Sequence, residues 1–143
     1  MFTIFLLIIS IILIILSGAS EAVMDKVQFH YDKSIFWNDD KYKQTFWDPD
    51  RSWVNKYKPG STSKPKFWGS TTFFVFTTDA WHLFKFFKNT SIFISMGISM
   101  YASTFISQEF DFSNILFILL FIVIGRSFYG LSFNLFFDKF LKL

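Results

Sequence analysis

Five side chains carry the chemistry that this chain can offer. Asp79 and His82 stand three residues apart in "TTDAWHLFK" (77–85), and Glu21 and Asp25 stand four apart with His30 beyond them. Residues three or four apart share a helix face, so each pair converges on one side of its own segment. A carboxylate beside an imidazole can hold and move a proton, which makes Asp79 and His82 the candidate acid/base pair. Gathered together, Glu21, Asp25, His30, Asp79 and His82 would form a donor set for a divalent metal, the cofactor their chemistry points to. His30 lies about 180° from Glu21 on a continuous helix and joins only if that helix ends before it. The plainer alternative is a set of interfacial charges with one interhelical ion pair, Arg126 with Asp79 or Glu21.

A second constellation is "FWDPDRSW" (46–53), where Asp48 and Asp50 form a DxD. That spacing can hold Mg²⁺ against a phosphate, but Asp-Pro-Asp followed by Arg-Ser is equally a turn with an N-cap. There is no cysteine, which removes disulfides, thiolate nucleophiles and cysteine zinc sites. No GxGxxG, Walker A, GxSxG or HExxH run occurs, so nucleotide binding, α/β-hydrolase chemistry and helical zinc hydrolysis find no support.

The elements that must position these residues are apolar. Of 143 residues 52% are hydrophobic and 17% charged, the composition of a membrane protein, with 23 Phe that a biased codon pool can explain. The uncharged run from Phe2 to Leu16 spans roughly 22 Å as a helix, short of a ~30 Å hydrocarbon core. Its length followed by "SGASEA" also suits a secretory signal, although no Lys or Arg precedes it. Apolar periodicity continues through Val27 and Phe29, so one helix is expected over 2–29, with a polar stripe of Ser17, Glu21, Met24, Asp25 and Gln28. Residues 31–66 mix cations with Trp and Tyr, as an ordered interfacial loop does, with Trp47, Trp53, Asn55, Lys56 and Lys58 as candidate lipid-headgroup contacts. Further helices are expected over 67–88, 91–107 and 112–137, separated by turns at "KNTS" and "QEFDF".

Ser91, Ser95, Ser99, Ser103 and Ser107 recur every fourth residue, a small-residue stripe along which another helix can approach. Gly125 and Gly130 permit similar approach, whereas Arg126 between them is an intramembrane charge that must snorkel, meet water or pair with an acid. Topology is contested within the sequence: the cations of the long loop favour placing it in the cytoplasm, while Lys85, Lys88, Lys139 and Lys142 favour the opposite. Three or four spans without an internal repeat do not build a transporter core alone.

"FWDPDRSWVNKYK" (46–58) and "TDAWHLFK" (78–85) resemble blocks, FWxPxxSWxNKYK and DAWHxF, of small bacterial and phage-encoded membrane proteins of unknown function. The resemblance runs from "AVMDKVQFHYDKSIF" to the end of the second helix. It carries no activity, and it implies that the long loop and the second helix form one unit.

The expectation is therefore an all-α, polytopic membrane helix bundle of about four membrane helices with a long interfacial loop, a single membrane domain over 1–143 in a bacterial inner membrane. Its partners would be membrane lipids and other membrane helices or its own copies, not nucleic acid. Two functions stay open: a helix-packing subunit of a membrane complex or homo-oligomer, and a membrane-embedded enzyme, metal-dependent or not, acting on a lipid or lipid-linked substrate.

Overall fold

The computed structural model describes residues 2–37, 44–105 and 112–142. Their regular structure is all-helical: α1 (Phe2–Phe29), the single turns α2 (Gln44–Trp47) and α3 (Pro49–Ser52), then α4 (Ala80–Ser103) and α5 (Phe112–Leu135), which opens into a π-helical turn over Phe136–Phe140. Ser107, the last member of the serine stripe, lies outside the described residues.

α1 is the axis of the fold, and the other two long helices pack on it. Ser10 meets Ser95 and Ser17 meets the Lys88 carbonyl, so α1 and α4 run antiparallel. Ile14 lies against Gly125, Gly18 against Ser132 and Glu21 against Tyr129, so α1 and α5 run parallel. At Gly18 the approach is close because a Cβ there would collide with Ser132 Oγ and the Tyr129 carbonyl. The loop between α1 and α4 therefore shares one end of the bundle with the C-terminus, and Phe2 packs edge-on against Phe105 at the other, 5.7 Å between centroids.

The expected helices over 67–88 and 91–107 are corrected to one. Residues 67–79 form turns, with Gly69 at φ +79° where a side chain would be strained, and α4 begins only after Asp79. Asp79 is the N-cap: its Oδ1 accepts from the His82 backbone N–H at 2.9 Å. α4 then passes straight through "KNTS", which holds neither Gly nor Pro and whose Lys88 and Ser91 face α1 or lie buried. The count of about four membrane helices falls accordingly: three long helices stand among the described residues, and two helical stretches, Phe2–Phe29 and Phe112–Phe140, are long and apolar enough to cross a membrane.

The buried core sits at the loop end of the bundle. Ala22, Val23, Val27, Ala80 and Leu141 form its centre, with Phe36, Trp47, Phe84 and Phe137 closing around it. Ser34 pairs with Lys142 in a single antiparallel bridge, which ties the C-terminal tail to the start of the loop.

Candidate functional site

Because α4 and α5 each pack on α1 more than on one another, a cleft of about 880 Å³ opens between the three helices. Toward the N-terminal end of α1 its wall is mostly apolar, with Ile118, Ile122, Met96 and Met100 beside Ser95 and Ser99, whose hydroxyls are bonded to Ser10 and to the Met96 carbonyl; toward the loop end it is polar, with Glu21, Asp25, Tyr129 and Asn134. The polar end is organised by Glu21. Its carboxylate pairs with the Lys88 ammonium of α4 and accepts a hydrogen bond from the Tyr129 hydroxyl of α5 at 2.8 Å. One carboxylate thus joins all three long helices.

The ion pair expected for Arg126 is corrected. Arg126 pairs with neither Asp79 nor Glu21; its guanidinium lies over the Tyr129 ring, 5.2 Å from the centroid. Lys88 takes Glu21 instead because the continuous α4 carries it onto the polar stripe of α1. A turn at that position would have pointed it elsewhere.

Asp79 and His82 are together, but as a helix start. The His82 Nδ1 is 2.7 Å from Asp79 Oδ2 and 2.9 Å from Oδ1, and the Thr78 hydroxyl is within 3.2 Å of the same carboxylate. Asp79 is buried, its Oδ1 caps the backbone of α4, and both of its oxygens are within hydrogen-bond distance of the His82 ring. His30 stands apart from them, exposed and edge-on to Phe137 at 5.5 Å. Among the described residues no three His, Asp or Glu gather so as to hold a metal ion, so the five-residue donor set is not assembled. The DxD of Asp48 and Asp50 is a cap: Asp48 Oδ1 accepts from the Asp50 N–H at 2.9 Å, and Asp48 pairs with Arg51 at 3.4 Å.

The candidate headgroup residues divide. Trp47 stacks on Phe36 at 4.2 Å and reaches Phe84, which makes it a core residue. The Asn55 amide donates to the Thr45 carbonyl and to the Thr78 carbonyl, the latter at 3.0 Å, so it fastens the loop to the start of α4. The blocks 46–58 and 78–85 thereby touch. Trp53 is half exposed, with its indole N–H on the Asp50 carbonyl, and the Lys56 and Lys58 backbones hold the small turn that Tyr57 and Pro65 close. Among the described residues of the loop the most exposed rings are others, Trp68 at 80% and Phe73 at 77%.

Along the serine stripe, Ser91, Ser95, Ser99 and Ser103 are all buried. Ser95 is bonded to Ser10, while Ser99 and Ser103 donate back to the carbonyls of Met96 and Met100. Gly125 is filled by Ile14, but nothing lies within 4 Å of where a Gly130 side chain would begin. Sequence reading missed Ser10, Gly18, Lys88, Tyr129 and Ser132. Ser10 had a signal, since it stands seven residues before Ser17 and so on the same face of α1, toward the stripe of α4. Lys88 and Tyr129 had none, since only the packing brings them to Glu21.

No family model matches the chain, and neither the curated proteins nor the solved structures contain a significant match.

Proposed function

We propose that the chain is a small integral membrane protein of a bacterial inner membrane that acts as a helix-packing subunit, docking on other membrane helices or its own copies through the outer face of α5. The observation that carries this reading is a row of uncovered apolar side chains. Leu120, Ile124, Leu131 and Leu135 fall within about 60° of one another at 100° per residue, away from α1 and from the cleft. Leu131, at 65% exposure, is the most open of them. The serine stripe is occupied within the chain by α1, so the docking face moves from α4 to α5.

Orientation follows from charge. The described Lys residues lie toward the loop end, because Lys85, Lys88, Lys139 and Lys142 share that end with the loop cations, while Arg126 sits at the middle of its helix. The two sides of the sequence argument become one, and the positive-inside rule then sets the loop and C-terminus in the cytoplasm. Phe67, Trp68 and Phe73 would rest at headgroup depth on that side, as amphipathic rings beside lysines do.

The absence of cysteine makes the test direct. Leu131→Cys, oxidised in native membranes, is expected to give a disulfide-linked dimer or a mixed disulfide with a partner; Ser63→Cys should resist an impermeant maleimide in intact cells. A chain that bridges to nothing and stays monomeric in nanodiscs overturns the subunit reading.

A membrane-embedded enzyme acting on a lipid or lipid-linked substrate remains the second reading, favoured by the carboxylates Glu21 and Asp25 at the mouth of an apolar cleft. Turnover lost in Asp25→Asn with the fold retained would select it.

A further inference from the structure

The cleft between α1, α4 and α5 is graded along its length, and two charges at its polar end are left over. Glu21 and Lys88 neutralise each other. Arg126 has no ion pair among the described residues and lies over the Tyr129 ring, with the Glu21 carboxylate in electrostatic reach; Asp25 has neither an ion pair nor a hydrogen bond among the described residues. The two flank the Glu21–Tyr129 hydrogen bond, Asp25 one turn beyond Glu21 on α1 and Arg126 one turn before Tyr129 on α5. The Arg126 guanidinium lies over the Tyr129 ring, 5.2 Å from its centroid.

We infer that this cleft binds one phospholipid with a primary-amine headgroup, its phosphate on Arg126, its ammonium on Asp25 and an acyl chain along Ile118, Ile122, Met96 and Met100. The order of polarity matches an amphiphile lying along the bilayer normal, with its chain toward the hydrocarbon and its headgroup toward the loop end. Guanidinium meets phosphate in a bidentate, charge-assisted contact, and a carboxylate meets an ammonium that donates three hydrogen bonds. A partner helix laid in the same cleft would offer apolar side chains to Arg126 and Asp25 and leave both charges uncompensated in hydrocarbon, which is costly. Helix docking therefore belongs to the outer face of α5, and the inference stands independently of that docking.

Native mass spectrometry of the full chain released from detergent tests this, with phosphatidylethanolamine, phosphatidylcholine and phosphatidylglycerol added in equal amounts. Phosphatidylethanolamine should be retained about tenfold over phosphatidylcholine, the worth of a charge-assisted hydrogen bond that a quaternary amine cannot donate. Asp25→Asn should level the three lipids, and Arg126→Gln should lower retention of all of them. Gly130→Leu fills the cleft from a position with open space around it, and it should abolish the adducts while thermal unfolding is unchanged. Where Arg126→Gln does not fold, Gly130→Leu decides alone. Equal retention of the three lipids by the wild type, adducts that survive Gly130→Leu, or a membrane protein in place of lipid overturns the inference.

Discussion

The hydroxyls of Ser10 on α1 and Ser95 on α4 lie 2.7 Å apart, and each is also within reach of the other's backbone carbonyl, at 2.8 and 3.1 Å. Both side chains are fully buried, so the two backbones approach with nothing larger than a hydroxyl between them. In a bilayer such contacts substitute for the hydrophobic effect, which has little purchase between apolar helices and apolar lipid. Ser95→Ala is expected to cost about 0.6–2 kcal/mol, the range for an interhelical hydrogen bond in a membrane. Ser95→Leu should cost more, about 1–3 kcal/mol from overpacking, and it should separate α1 from α4. Detergent unfolding monitored by circular dichroism ranks the two.

Glu21 and Lys88 test whether the three-helix junction depends on charge or on shape. Their side chains are each 25% exposed, so the pair is partly screened. Glu21→Gln keeps an acceptor for Tyr129 but strands Lys88, with an expected loss of about 1.5–3 kcal/mol for a hydrogen bond to a charged group. The double variant Glu21→Gln/Lys88→Met should recover most of that loss, because removing both charges leaves neither uncompensated. A double variant as unstable as Glu21→Gln alone would refute this account.

Gly18 and Gly130 should respond in opposite directions to the same change. Gly18→Ala drives a methyl into Ser132 and the Tyr129 backbone, so α1 and α5 must part; a loss of several kcal/mol, well beyond ordinary overpacking of about 1–3, is expected. Gly130→Ala meets nothing and removes the glycine penalty in a helix, a gain of up to about 1 kcal/mol. Equal effects at both positions would contradict the packing described.

Asp79 acts as a helix cap, and its substitutions should sort by cap strength rather than by charge. Asp79→Ala is expected to lose about 0.5–2 kcal/mol, and Asp79→Asn, which still accepts from the His82 N–H, only a fraction of that. Helicity by circular dichroism and unfolding midpoints measure both. A stability loss in Asp79→Asn equal to that in Asp79→Ala would instead require the negative charge, and would return the pair to candidacy as a site.

Tyr31, just past α1, carries a hydroxyl that is buried without a hydrogen-bond partner among the described residues. Burial, aided by the Asp48 carboxylate and opposed by Arg51, pushes its phenol above the ordinary tyrosine value. The unfolded chain therefore ionises first, at about pH 10, and the folded state loses stability as pH rises beyond that point. Tyr31→Phe should remove this part of the alkaline loss and be neutral or stabilising at pH 7, since it deletes an unsatisfied donor. Urea unfolding at pH 7 and pH 10.5 compares the two chains.

What could be read without the fold is what depends on neighbours along the chain. The apolar length of α1 and of α5, the aromatic and basic character of the loop, and the fourfold serine spacing are periodic or compositional features. They mark helices and a close-packed face wherever the rest of the chain goes. Which face meets which is not local. The start of α4 at Ala80 rested on Asp79 being used as a cap and on Gly69 bending the chain, and "KNTS" stayed helical because α1 covered Lys88 and Ser91. The assignment of Glu21 to Lys88 and Tyr129, and the separation of α4 from α5 that opens the cleft, follow from α1 offering Ser10 and Ser17 to one neighbour and Gly18 to the other. Those choices are decided by the relative rotation of helices far apart in sequence, a quantity that no single segment encodes.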